Sequence, residues 1–389
     1  MNILKKRIQK VIILSLLCIS ILLPYSTIVS ASSLYKAGVL VDADTMKVLN
    51  SKDKDKILAQ ASVTKLMTYL VVMDSLKAAS IPLNTKIVVN LDLSVIPSDG
   101  SKLNLKNGDQ VTLTQLIESL LIISANDSAI ILEDFVSKLT KKDFITLMND
   151  KSKEIGLNKT KFINTSGLTE KDKAFNTTTA YEIAILSKKI IDNYPQTLKI
   201  TSRKSFTYNG LTYPATNKLL SKNIGVDGLK TGFTNEAGYC LASTVEIKPT
   251  AKDEKPYRVI AVSLGSKSED ERYNASLSLI NYAKANFAKK RIINKASIYD
   301  LESEYHVGGV IKASPSREEY QLINKKSHIE SKVMIMEDLK GNIKKGDTVG
   351  KIIVTYDKTS TEADLIATED IKRVNVFKRI VLFFKNLFK

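Results

Sequence analysis

Three short runs in this sequence combine residue types that could carry out chemistry: Ser62-Val63-Thr64-Lys65, Ser124-Ala125-Asn126 and Lys230-Thr231-Gly232. In the first, a spacing of three places Ser62 and Lys65 on one face of a helix, one turn apart. A serine at a helix start has the positive end of the helix dipole beneath it. A lysine one turn on can take its proton once burial and nearby cations lower the ammonium pKa. The pair reads as nucleophile and base. In the second run, Ser124 could relay a proton and Asn126 offers an amide to hold a carbonyl; a plain helix N-cap would use the same residue types. In the third, Lys230 and Thr231 could bind a carboxylate, and Gly232 would keep the face of a strand clear for an approaching peptide. A solvated lysine in a turn is the plainer reading of that run. Each run alone is common. Their joint occurrence, in this order, is what makes the signal specific.

These runs need elements to position them. Leu66, Met67, Leu70, Val71, Met73 and Leu76 continue a helical pattern from Ser62 to about Ala79. A second helix is expected over Thr112–Ile122, capped by Thr112 or Thr114, a third over Ser124–Leu139 and a fourth over Thr177–Asp192. Strands are expected at Ala37–Val41 and Lys47–Leu49, then at Gly225–Gly232, Ala237–Val245 and Arg258–Gly265. Glu271–Lys289 returns to helix. Strand, helices, strands and helix imply an α+β domain over 32–290, an antiparallel sheet with helices packed on it. Residues 291–373 differ in texture. Alternating stretches such as Lys332–Met336 and Lys351–Val354, separated by turns such as Lys345-Gly346-Asp347, read as a small all-β domain. Residues 374–389 differ again. Val376, Phe377, Ile380, Val381, Phe383, Phe384, Leu387 and Phe388 fall on one side of a helical wheel. Lys378, Arg379, Lys385, Asn386 and Lys389 fall opposite, Leu382 is the misfit, and there is no acidic residue. That pattern is an in-plane, amphipathic membrane helix, too short and too charged to span; docking on the protein's own core is the alternative.

The chain has 389 residues, 43% of them hydrophobic, which is ample for two domains with buried cores. Residues 1–31 are set apart from the fold. Lys5, Lys6, Arg7 and Lys10 precede the apolar run Val11–Leu23, Pro24 breaks it, and Val29-Ser30-Ala31 offers small residues for cleavage. This is the layout of a secretory signal peptide, with an uncleaved membrane helix as the alternative. The net charge of +17 would admit a nucleic-acid partner. Export points instead to anionic lipid headgroups and cell-wall polymers, and no nucleic acid is expected. Of the two cysteines, Cys18 leaves with the leader, so no intramolecular disulfide is expected. Cys240, in an apolar stretch, reads as a buried core thiol. His306 and His328 lack clustered acids and make a poor zinc site, so neither metal nor cofactor is expected.

Ser-x-x-Lys, a Ser-x-Asn run and Lys-Thr-Gly together are the combination of penicillin-binding proteins and β-lactamases. The wider context is Ala61-Ser62-Val63-Thr64-Lys65-Leu66-Met67-Thr68, Ser124-Ala125-Asn126-Asp127-Ser128-Ala129, and Asp227-Gly228-Leu229-Lys230-Thr231-Gly232-Phe233-Thr234 followed by Ala237-Gly238-Tyr239. The chain resembles the low-molecular-mass penicillin-binding proteins of the D-alanyl-D-alanine carboxypeptidase type, serine peptidase family S11. The resemblance covers nearly the whole chain, including Lys345–Gly350 and the terminal amphipathic helix. It implies a penicillin-binding, β-lactamase-like transpeptidase domain followed by the β domain. It implies that Ser62 attacks the carbonyl between the last two D-alanines of a peptidoglycan stem peptide, with Lys65 as base. The backbone N–H groups of Ser62 and Phe233 would form the oxyanion hole. β-Lactam antibiotics would acylate the same serine at the outer face of the cytoplasmic membrane. One departure stands out. Family members often carry Asn-Pro-His-Gly-Leu where this chain has Asn164-Thr165-Ser166-Gly167-Leu168, so a histidine is missing. A DD-endopeptidase, a β-lactamase and a non-catalytic wall-binding protein are the alternatives. For the β-lactamase, only Glu170 is on hand as a deacylating glutamate in the segment 160–176, and Ala174 stands where an asparagine would be expected.

Overall fold

The computed structural model describes residues 34–381 except Val95, Asp99, Lys340 and Arg379. The expected leader (1–31) and the outer part of the expected terminal helix (382–389) lie outside the described residues. The frame of the N-terminal part is a five-stranded antiparallel sheet. In spatial order its strands are Val48–Lys52, Ala37–Asp42, Tyr257–Ser266, Gly238–Ile247 and Val226–Thr234. Alternation along the strands feeds two cores. Val39, Val41, Ile260 and Val262 face a large helical cluster. Leu40, Val259 and Ala261 face the helix Glu269–Asn286 on the other side, through Tyr273, Leu279 and Ile280. The α+β architecture is the one expected.

The helix Lys65–Ala78 lies deep in the larger core and is buried on nearly every side from Lys65 to Met73, so its sequence shows little amphipathic contrast. The helix Leu113–Ile122 begins with a capping box. Thr112 Oγ1 accepts from Gln115 N at 3.2 Å and Thr112 N donates to Gln115 Oε1 at 2.9 Å. Of the two expected caps, Thr112 is the one in use. The helix Phe144–Glu154 was not expected. It buries only Phe144, Met148 and Ser152, too thin a stripe to stand out in a polar run. The last helix of this part ends at Asn286, and Phe287–Ile293 is strand where helix to Lys289 was expected. Tyr257 fixes the switch by donating its hydroxyl to Phe287 O at 3.0 Å.

The C-terminal part is all-β. Phe287–Ile293 pairs with Glu319–Asn324. A five-stranded sheet follows, ordered Tyr299–Glu302, Val310–Pro315, Thr359–Ala367, Thr348–Tyr356 and Glu330–Ile335. Its own core gathers Ile293, Leu301, Ile311, Ile323, Ile352, Val354 and Leu365. Ion pairs from Lys289 to Asp44 (2.6 Å) and from Lys47 to Asp357 (3.4 Å) join it to the N-terminal part. Residues 376–378 and 380–381 are helical, with Val376, Phe377, Ile380 and Val381 exposed. No helix among the described residues is long and apolar enough to cross a membrane.

Candidate active site

Ser62 sits in a single 3-10 turn, Ala61–Thr64, that leads directly into the helix Lys65–Ala78. Lys65 is wholly buried. Its Nζ lies 2.9 Å from Ser62 Oγ, 2.7 Å from Asn126 Oδ1 and 2.7 Å from the backbone carbonyl of Ser166. Ser62 Oγ also donates to Ser166 O at 3.3 Å. Burial lowers the Lys65 pKa to about 7, against the opposing pull of the Asp127 carboxylate. The physical cause is therefore desolvation, and about half of Lys65 is free amine near neutral pH.

The Ser166 carbonyl was not foreseen as part of the site. Its loop is fastened from several directions. Asn176 Oδ1 accepts from Ile163 N at 2.7 Å, and its Nδ2 reaches Thr64 Oγ1 at 2.9 Å. Thr68 Oγ1 donates to Thr165 O at 2.7 Å, and Asn164 Oδ1 accepts from Gly167 N at 2.7 Å. Gly167 has φ of +79° and no room: a Cβ there would lie 1.9 Å from Ala61 O. The side chain of Ser166 turns away and accepts from Leu168 N at 3.2 Å. The lysine thus uses a backbone oxygen, which any residue at position 166 supplies, so this contact does not need the missing imidazole.

Ser124 has a left-handed φ of 64° and precedes the helix Asn126–Thr140 rather than beginning it. Ala125 occupies the N-cap, and no side chain caps this end. The plain N-cap reading of this run therefore fails. Ser124 Oγ makes no hydrogen bond among the described residues and lines the cleft. Asn126 Oδ1 is taken by Lys65, which leaves its Nδ2 donor for other partners. Asp127 holds the neighbouring loop by accepting from Leu103 N (2.9 Å) and Leu105 N (3.2 Å).

The third run lies on the edge strand Val226–Thr234. Lys230 is 1% exposed and donates to Thr231 O at 2.8 Å, so the solvated-lysine reading fails too. Burial, then the Lys65 and Arg272 charges, hold its pKa well below the usual lysine range. Thr231 Oγ1 donates to Thr216 Oγ1 at 2.7 Å. Gly232 also permits a close approach within the fold. A Cβ there would meet Gln60 O and Ser62 N at 3.0 Å each, so the glycine lets the strand close on the turn that carries Ser62. Phe233 is half exposed, its ring 4.2 Å from that of Tyr239. Arg272, also unforeseen, is buried with its guanidinium beside the rings of Tyr239 and Tyr273. It donates to Gly232 O at 3.4 Å and to Glu269 at 2.9 Å, and its Nε has no partner.

Ser62, Ser124, Asn126, Thr216, Thr231, Gly232, Phe233 and Arg272 line one cleft of about 680 Å³. Lys65 and Lys230 lie beneath it. A family model described as D-alanyl-D-alanine carboxypeptidase, peptidase family S11, matches residues 27–268. The chain belongs to this family. It is a serine DD-carboxypeptidase by function. The DD-carboxypeptidase DacC of Escherichia coli is 33% identical over 89% of this chain and 86% of its own length. A peptidoglycan synthesis regulatory factor (PBP3) from Streptococcus pneumoniae shares the fold, with a TM-score of 0.67 and 26% identity, over 87% of this chain and 99% of that one. The cefotaxime-bound penicillin-binding protein D2 of Listeria monocytogenes is 30% identical with a TM-score of 0.56, over 64% of this chain and 97% of that one.

Other chemistry-bearing residues are placed elsewhere. Glu170 is outside the cleft lining and accepts from Asn164 Nδ2 at 2.6 Å, so it does not face the nucleophile as a β-lactamase acid would. Cys240 is a free, buried thiol whose pKa burial pushes up to about 11. His306 is buried, its ring nitrogens facing Ser303 Oγ at 2.7 Å and Gly341 O at 3.1 Å.

Proposed function

We propose that this DD-carboxypeptidase removes the terminal D-alanine from peptidoglycan stem pentapeptides through an acyl-enzyme on Ser62. The observation that carries the reading is the 2.9 Å contact between Ser62 Oγ and a buried Lys65 whose pKa lies at about 7. Free Lys65 amine takes the Ser62 proton as Oγ attacks the carbonyl between the two D-alanines. The backbone N–H groups of Ser62 and Phe233 receive the oxyanion. Ser124, with its hydroxyl unengaged at the cleft wall, passes the proton on to the departing amine. The Asn126 amide N–H holds the stem-peptide carbonyl. The terminal carboxylate lies toward Thr231 and Arg272, whose guanidinium supplies the positive field. Water then hydrolyses the ester. A β-lactam acylates the same serine and stays, because its leaving group remains tethered; the cefotaxime-bound Listeria relative supports this part of the reading.

The chain acts outside the cytoplasmic membrane. The leader 1–31 directs export, 32–290 is the catalytic domain, 291–373 the β-rich domain, and 374–389 holds the enzyme on the anionic membrane surface facing the wall. The test uses two measurements. Incubation with a synthetic stem pentapeptide should give tetrapeptide and D-alanine by mass. A fluorescent penicillin should label the wild type and leave Ser62→Ala unlabelled. Label retained on Ser62→Ala would move the nucleophile elsewhere, and folded wild type that takes no label would end the acyl-enzyme reading.

A further inference from the structure

Among the described residues two carboxylates line the cleft, Glu269 and Glu236, and they stand in different company. Glu269 is paired with Arg272 at 2.9 Å and with Lys218. Tyr273 Oη donates to Thr216 O at 2.9 Å, and Thr231 Oγ1 donates to Thr216 Oγ1 at 2.7 Å, so this ion-pair group belongs with Thr231. Glu236 lies further along the chain, in the hairpin turn that follows the edge strand Val226–Thr234. It accepts from Thr169 Oγ1, on the loop that also carries Ser166, at 2.6 Å. Among the described residues no cation forms a salt bridge with it. The Thr169 hydroxyl first, then its own backbone N–H, the Thr234 hydroxyl and the exposed Lys173, hold its carboxyl below the usual range. Glu236 is therefore an exposed, charged carboxylate on the cleft wall.

On the chemistry proposed above, a stem peptide has one direction in the cleft. Its terminal carboxylate lies toward Thr231 and Arg272, and the carbonyl under attack points at the N–H of Phe233. The peptide therefore runs antiparallel to the edge strand, and the part kept as the acyl group extends past Phe233 toward Thr234 and Glu236. Paired extended chains advance together at about 3.3 Å per residue. With the last D-alanine beside Thr231 and Gly232 and the next beside Phe233, the third residue of the stem comes beside Thr234 and Asn235, its side chain within reach of Glu236. In peptidoglycan that residue is commonly a diamino acid, whose side-chain amine is a cation until a cross-link uses it. We propose that Glu236 is a specificity residue that binds this free amine. The cleft then matches both charges of its substrate, with Arg272 for the carboxylate and Glu236 for the amine. Thr169 steadies the Glu236 carboxylate from the facing loop. An amine already used in a cross-link is an uncharged amide, so stems with a free amine are favoured. This role rests on the reading of Ser62 as a nucleophile that acts on stem peptides.

Three stem pentapeptides test this, alike except for lysine, norleucine or Nε-acetyl-lysine at the third position. D-Alanine release gives kcat/KM for each peptide with the wild type, Glu236→Gln and Glu236→Lys. The ratio to the norleucine peptide within one enzyme cancels any general loss of activity. Because the pair is exposed, the wild type should favour lysine over both other peptides by about threefold to fivefold, and by less at high salt. Glu236→Gln should bring the lysine ratio close to unity, and Glu236→Lys should bring it below unity. Equal rates on lysine and norleucine in the wild type would overturn the proposal, as would a preference that survives in Glu236→Gln. An acetyl-lysine peptide that alone lags behind would show exclusion by size and would overturn it too. A wild type that takes up fluorescent penicillin yet releases no D-alanine from any of the three would overturn the stem-peptide reading, and the role of Glu236 with it.

Discussion

Lys65 should make acylation depend on pH with an inflexion near 7, and the magnitude can be worked out. Burial brings its pKa from 10.5 to about 7. At the inflexion about half the enzyme holds the free amine, and one unit lower roughly a tenth does, so acylation should fall about fivefold over that step. The assay is the second-order rate of labelling by a fluorescent penicillin, followed in single turnover across neutral pH. A flat rate through this range, or an inflexion near the ordinary lysine value, would refute the assignment of Lys65 as base. The same shift makes a claim about stability. The folded pKa lies below the unfolded one, so between them the unfolded chain binds more protons and stability rises with pH. Below about 7 the full cost applies, about 5 kcal/mol for a fall from 10.5. Between about pH 6 and about pH 9 the wild type should gain about 3 kcal/mol relative to Lys65→Met, which cannot titrate there. Lys230 adds to this difference, since one of the charges that depress it is lost in the variant, so about 3 kcal/mol is a lower figure. Lys65→Met should also acylate at least about a hundredfold more slowly. Parallel urea-unfolding stabilities for the two proteins at the two pH values would contradict a lysine with this pKa.

Other variants test the packing around the nucleophile. Gly232→Ala would press a Cβ to 3.0 Å from Gln60 O and Ser62 N; acylation should drop by about tenfold or more, with a modest change in the thermal melt. Gly167→Ala combines φ of +79° with a Cβ 1.9 Å from Ala61 O, so it should lose about 2–4 kcal/mol in urea unfolding and most of its acylation rate. Arg272→Gln removes the cation of the cleft wall; KM for a carboxylate-terminated stem peptide should rise by about tenfold, and the rise should vanish for the same peptide amidated at its C-terminus. Cys240 should resist thiol reagents in the native protein and react only as unfolding proceeds, because its thiol is buried with a pKa of about 11.

What could be read from the sequence was set by side-chain type and local period. The Thr112 cap and the three central strands have local signatures, and the structure has them within a few residues. Ser62, Lys65 and Asn126 meet because their motifs sit at the ends of elements that pack together. The helix Phe144–Glu154 escaped because three buried side chains make a faint stripe. The Ser166 carbonyl escaped for a deeper reason. A backbone acceptor has no residue signature, and only the substitution of the family's usual histidine drew notice to its loop. Arg272 follows Glu269, Asp270 and Glu271, which reads as a solvated helix start. Its burial depends on Tyr239, which approaches from a different strand. Gly232 was singled out for an approaching peptide, and the structure adds a close approach within the fold, to Gln60 O and Ser62 N. Sequence shows that a Cβ is absent, while only packing shows what it would have struck.

The charges around the cleft form a single electrostatic arrangement. Lys65, Lys230 and Arg272 are all buried there, and Lys65 and Arg272 both depress Lys230. The carboxylates near them are Asp127, Glu269 and Glu236, the last exposed and accepting from Thr169 Oγ1 at 2.6 Å. Asp127 is held by backbone N–H groups, and Glu269 lies at the rim with Lys218 and Arg272. The empty cleft is therefore short of negative charge at low dielectric, where such a deficit counts most. An anion that enters relieves it, whether a terminal carboxylate or the oxyanion that forms at Ser62. On the proposed mechanism, one site could thereby hold a substrate carboxylate and also favour the transition state with groups already in place. The burial that makes the cleft receptive to anions also disfavours another proton on Lys65, against the pull of Asp127. In the proposed mechanism, anion binding and the free amine of Lys65 thus draw on the same burial.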